Sequence, residues 1–160
     1  MSLKTLQVQL GLNLHLLKMN LDGISQEQSL VLPEPAGNSL NWVVGHLATT
    51  RLVGMLPLLG LESDEAPESW ASYRRGTGPL PDRTQTRTLE ELLDVFERTQ
   101  QPITEALGEI TAERLKEPAM FGGEEKSVQW VLTTTCFHES YHIGQTGLQR
   151  RLLGFAGALA

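Results

Sequence analysis

SVQWVLTTTCFHESYHIGQTGLQRRLLG, residues 127–154, is the stretch on which the fold turns. Ser127 is a good helix N-cap residue, and Gly154 suits the position just past a helix end. Between them Val128, Val131, Thr135, His138, His142, Gln145 and Leu152 recur at helical spacing and define one face. His138 and His142 are four apart on that face, so both can reach a single metal ion. Burying two imidazoles without a metal would mean satisfying four ring nitrogens.

The core of this stretch, HESYH, also spells His-Glu-x-x-His, the zinc-protease motif in which the glutamate is a general base. That reading fails on the surrounding sequence. Only 18 residues follow His142, and none is His, Asp, Glu or Cys, so no third ligand lies downstream. Gln145 and Leu148 hold the positions where the extended motif needs Gly and His. No segment alternates as a substrate-aligning strand would. Glu139 lies about 100° around the helix from His138 and is expected to be a solvated or interfacial carboxylate.

Three more helical segments lie upstream, and no strand is expected. The first runs from Leu3 to Leu21 and ends at Asp22-Gly23. The second starts at Ser39 and reaches Leu59, with an apolar stripe of Trp42, Val43, Leu47 and Val53 that includes His46; Ser39 and Asn41 are read as serving its start. Residues 60–87 form a long connection rich in Gly, Pro and charge, with one short helix expected around Glu68–Arg74. Thr88 and Glu91 then spell a capping box that opens a third helix to about Leu107, with a bend expected at Pro102. The fold class is therefore all-α: a four-helix bundle with a long connection between helices 2 and 3, in one domain spanning 1–160.

Composition narrows the function. At 160 residues, 40% hydrophobic and 20% charged, the chain suits a soluble globular domain with a real core. A net charge of −6 argues against a dedicated nucleic-acid binder. The N-terminal stretch is broken by Lys4, Gln7, Gln9 and Asn13, and no segment has the roughly 20 apolar residues that span a bilayer. With a single cysteine, Cys136, no intramolecular disulfide framework is possible, and a cytoplasmic protein without a membrane partner is expected.

A third ligand for His138 and His142 has to come from upstream, where two histidines remain. His46 sits at mid-height of the second helix, where side chains of a bundle converge. His15, in the first helix, reads as a surface or packing residue.

NSLNWVVGHLATTR in the second helix and TTTCFHESYHIGQTGLQRRLLG in the last resemble the DinB-like (DinB/YfiT) superfamily of metal-binding four-helix bundles. The likeness extends to the whole layout, and its most specific part is His-x-x-x-His followed by Ile-Gly-Gln and Leu-x-Arg-x-Leu-Leu-Gly. The resemblance implies one His on the second helix and two on the fourth, here His46, His138 and His142, holding one divalent ion, zinc or nickel. It implies a crossed bundle topology and a homodimer. It further implies a thiol S-transferase or isomerase using bacillithiol, mycothiol or glutathione with an electrophilic small molecule, or else a hydrolase that activates a bound water. A metal-binding protein without catalysis is the alternative from another class. Gln145, one turn beyond His142, Tyr141 and Glu139 are the candidate catalytic neighbours, and Trp42 reads as core.

Overall fold

The computed structural model describes residues 2–79 and 86–159. Helix α1 (Leu3–Leu21) is capped by Ser2, whose hydroxyl accepts from the Thr5 amide. A short α2 (Gln26–Ser29) follows, then α3 (Leu40–Thr49), a π-helical segment (Thr50–Met55) and α4 (Leu56–Leu58). A 3-10 helix (Pro67–Tyr73) lies in the long connection, one residue earlier at each end than expected. Residues 80–85 of that connection fall outside the described residues.

Thr88 and Glu91 do form a reciprocal capping box at the start of α5 (Leu89–Glu109). Pro102 sits inside α5 without ending it. A small α6 (Ala112–Lys116) precedes α7 (Val128–Leu152), which Ser127 caps.

Two features depart from the sequence reading. Strands β1 (Pro118–Phe121) and β2 (Glu124–Ser127) pair antiparallel, with Phe121 opposite Glu124. Gly122 and Gly123, at φ 61° and 87°, make the tight turn that such a hairpin needs. The strands are largely exposed, so no hydrophobic alternation announces them; the Gly-Gly pair is the local signal. The second helix, expected as one run to Leu59, changes to π geometry at Thr50. Thr49 and Thr50 turn their hydroxyls back to the Gly45 and His46 carbonyls (2.8 and 2.9 Å), a pattern that bends helices. The changed phase leaves Val53 exposed rather than on the His46 stripe, while Arg51, Leu52 and Met55 point inward.

The long helices pack in a square in which α1 touches α5 and α7, and α3 touches α5 and α7. Helices α1 and α3, first and second of the bundle, therefore stand across its diagonal. An up-down-up-down bundle would place them side by side, so the topology is crossed. Leu6, Leu10 and Leu17 of α1 meet Leu47 of α3, Phe96 and Ile103 of α5, and Leu132 and Ile143 of α7 in one core. Trp70 and Tyr73 from the connection are fully buried in it. Truncating Trp70 to Ala would cost about 3–5 kcal/mol. No helix among the described residues is long and apolar enough to cross a membrane.

Candidate metal centre

His46 is held before it meets any other histidine. Its ring stacks on Trp42 one turn earlier, with centroids 4.8 Å apart and planes 9° from parallel. Its Nδ1 lies 2.9 Å from the Tyr73 carbonyl. That carbonyl only accepts, so Nδ1 carries the hydrogen and Nε2 keeps its lone pair. Tyr73 gets this close because residue 45 is glycine: a β-carbon there would run into the Tyr73 ring. The Tyr73 hydroxyl donates to Asn41 Oδ1 (3.1 Å) and accepts from the Arg87 amide (2.7 Å), while Asn41 Nδ2 donates to the Arg87 carbonyl (2.8 Å). Asn41, expected only to serve the helix start, is fully buried and locks the connection onto α3. Ser39 does the capping, accepting from the Trp42 amide.

On α7, His142 Nδ1 donates to Gln145 Oε1 at 2.7 Å, which likewise leaves its Nε2 free to coordinate. His138 Nε2 lies 3.2 Å from His46 Nε2 and 3.1 Å from His142 Nε2. The three ligand atoms all fall within 4.8 Å of one another. Burial lowers the pKa of all three imidazoles. His138, also facing the other two rings, is pushed down to about 4; His46 and His142 are shifted the same way despite hydrogen bonds that oppose the shift.

Three neutral imidazoles with converging Nε2 atoms fit a cation better than they fit each other. With both neighbours presenting lone pairs, His138 could offer one hydrogen to only one of them. A tetrahedral shell of zinc–nitrogen bonds of about 2.0–2.1 Å sets nitrogens about 3.3 Å apart, close to the 3.2 and 3.1 Å that separate His138 Nε2 from the other two. His138 Nδ1 is buried with no hydrogen-bond partner among the described residues, so this ring lacks the outer support that His46 and His142 have.

The other predicted residues divide. Gln145 supports His142 directly. Tyr141 is 58% exposed, its ring centroid 5.3 Å from that of His142 in an edge contact. Glu139 is not the solvated or interfacial carboxylate expected: it is 2% exposed and paired with Arg51 on the core side of α7. Glu139 lies on the flank of α7 that faces Asn13 of α1, opposite the exposed Phe137 flank, and pairing with Arg51 makes a charge tolerable there. Arg51 was missed altogether, since one arginine at a helical spacing reads as surface. His15 stays on α1, outside the cluster.

A family model described as the DinB superfamily matches residues 9–146. The chain belongs to the DinB superfamily. Among solved structures, a DinB-like protein from Bacillus cereus is 22% identical over 91% of this chain and 88% of its own, with a TM-score of 0.65. A conserved protein from Enterococcus faecalis is 16% identical over 96% of this chain and 98% of its own, with a TM-score of 0.68. At these identities the likeness is one of fold. No curated protein matches the chain. In this DinB-superfamily bundle the three histidines cluster between α3 and α7, the second and fourth long helices.

Proposed function

We propose that this DinB-superfamily protein is a metal-dependent thiol S-transferase. One divalent cation, zinc or nickel, is held by His46, His138 and His142, and a low-molecular-weight thiol of the bacillithiol, mycothiol or glutathione type is joined to an electrophilic small molecule. The observation that carries the reading is the convergence of three Nε2 atoms whose rings are neutral, two of them oriented through Nδ1. A divalent cation held by these three nitrogens would leave room for a further ligand and would favour a bound thiolate over the thiol. Tyr73 and Gln145 fix the ring orientations, and Trp42 shields one face of His46 from water. The chain's own thiol cannot serve as nucleophile: Cys136 is buried and its pKa is raised to about 11 by burial and by the Glu139 charge. A sulfur nucleophile therefore has to come from a cosubstrate.

The same reading places the protein in the cytoplasm, where thiols stay reduced. It also makes it a homodimer. Phe137, Tyr141, Leu148 and Leu152, each 58–69% exposed, form an apolar stripe on the outer face of α7.

The test has two stages. Protein purified without a histidine tag should carry about one zinc or nickel per chain, and His142→Ala should carry none. Each thiol is then offered with a chloro-dinitro aromatic, on which a sulfur–carbon bond forms, the carbon–chlorine bond breaks and chloride leaves. Metal-dependent loss of thiol supports transfer. Turnover of ester or amide substrates without thiol would favour hydrolysis, and metal uptake without any turnover would favour a binding role.

A further inference from the structure

Glu139 follows His138 directly, and Arg51 lies five residues after His46, yet neither points at the histidines. They meet in the core, where both are almost wholly buried. Arg51 Nε donates to Glu139 Oε2 at 2.8 Å and Nη2 to Oε1 at 2.9 Å, a two-pronged contact. The remaining guanidinium hydrogens go to the Phe96 carbonyl (3.1 Å), Thr99 Oγ1 (3.4 Å) and Gln100 Oε1 (3.0 Å) on α5. The guanidinium also lies over the Phe96 ring, 4.1 Å from its centroid. Glu139 Oε1 accepts a further hydrogen bond from Asn13 on α1 (3.1 Å). One ion pair thus touches all four long helices beside the triad.

We infer that the Arg51–Glu139 pair is a positioning latch for the histidine triad, fixing the rotation and height of α7 against α3. The inference rests on the reading of His46, His138 and His142 as metal ligands. Glu139 and His138 project from α7 about 100° apart, so the helix is pinned on two sides at one level. A slip of about 20° about the helix axis would carry an atom 5–6 Å from that axis by roughly 2 Å. That is a whole metal–nitrogen bond length. Leucines in such a core could slide and repack with little penalty. A fork-to-fork guanidinium–carboxylate contact cannot, because it is directional and misalignment leaves buried charge unpaired. The π-helical segment belongs to the device: its phase turns Arg51 inward from the helix that carries His46. Such segments are frequent at functional sites.

The experiment compares cobalt(II) binding, followed by its visible absorption and by competition titration, in wild type and in Arg51→Met/Glu139→Leu. An apolar swap of a buried pair leaves folding near neutral, so helical content and unfolding midpoint should stay close to wild type. Cobalt affinity should drop by about 10–100-fold, with an altered ligand-field spectrum. A folded double variant with wild-type affinity and spectrum overturns the latch. Arg51→Lys, which keeps the charge and loses the fork, decides the matter if the double variant does not fold. A drop in affinity of about tenfold in the folded Lys variant supports the latch, and unchanged affinity overturns it. Failure of wild type to bind cobalt would instead remove the metal reading, and the latch with it.

Discussion

Gly45 and Tyr73 are in such close contact that any β-carbon at position 45 would overlap the Tyr73 ring. Through that contact the connection reaches α3 and lays the Tyr73 carbonyl against His46 Nδ1. Gly45→Ala should therefore do more than change helix propensity, which by itself favours alanine. We expect a loss of about 1–3 kcal/mol in urea unfolding and weaker metal binding. A variant as stable as wild type or more so would show that Tyr73 moves aside freely.

Gln145 holds His142 by one hydrogen bond, from the ring Nδ1 to its Oε1. Gln145→Leu keeps the bulk and loses the acceptor, freeing the ring to rotate. Metal affinity should fall by about tenfold or more, with the unfolding midpoint nearly unchanged. Titration against a chelator of known affinity checks this, and equal affinity would remove Gln145 from the site.

The lowered histidine pKa values set a pH window for the metal-free protein. An unfolded histidine takes its proton near pH 6.5, whereas folded His138 resists until about 4. The unfolded state thus binds more protons in between, and stability falls as pH drops from 6.5 towards 4. The contribution is fully present above 6.5. Urea midpoints of chelator-treated protein at pH 7.5, 6 and 5 should decline, and decline less in His138→Gln. Equal slopes for the two proteins would contradict the assignment.

Cys136 is 1% exposed, with its pKa raised to about 11. At pH 8 roughly one thiol in a thousand is ionised, and that one is out of reach of solvent. A disulfide exchange reagent should titrate no thiol quickly in the native protein and one per chain in urea. Fast native labelling would mean that α7 opens, and would reinstate Cys136 as a candidate nucleophile.

The apolar stripe on α7 gives the proposed homodimer a specific test. Phe137→Glu/Leu148→Glu places like charges on both copies where they would meet, and should yield a monomer by sedimentation without loss of helical content. A wild-type monomer would overturn the homodimer, and an unaffected dimer would move the interface elsewhere.

Much of this protein was readable from its sequence alone, because the deciding interactions are local. Helix starts follow from Ser39, Thr88 and Ser127, whose side chains reach amides three residues on. The pairing of His138 with His142 follows from helical spacing. The want of a downstream ligand and the mid-height position in the second helix point to His46, and the family resemblance joins it to the pair. Tertiary structure decided what each histidine's second nitrogen meets and where Glu139 points. Tyr73 lies 27 residues from His46, and Arg51 lies 88 from Glu139. Nothing in the composition or periodicity of those segments encodes such pairings. They exist because a crossed bundle brings α3 beside α7 and lays the connection over Gly45. The string His-Glu-x-x-His marks two candidate ligands, while the fold takes its glutamate away from the site and gives it to the core, since only there does Arg51 wait.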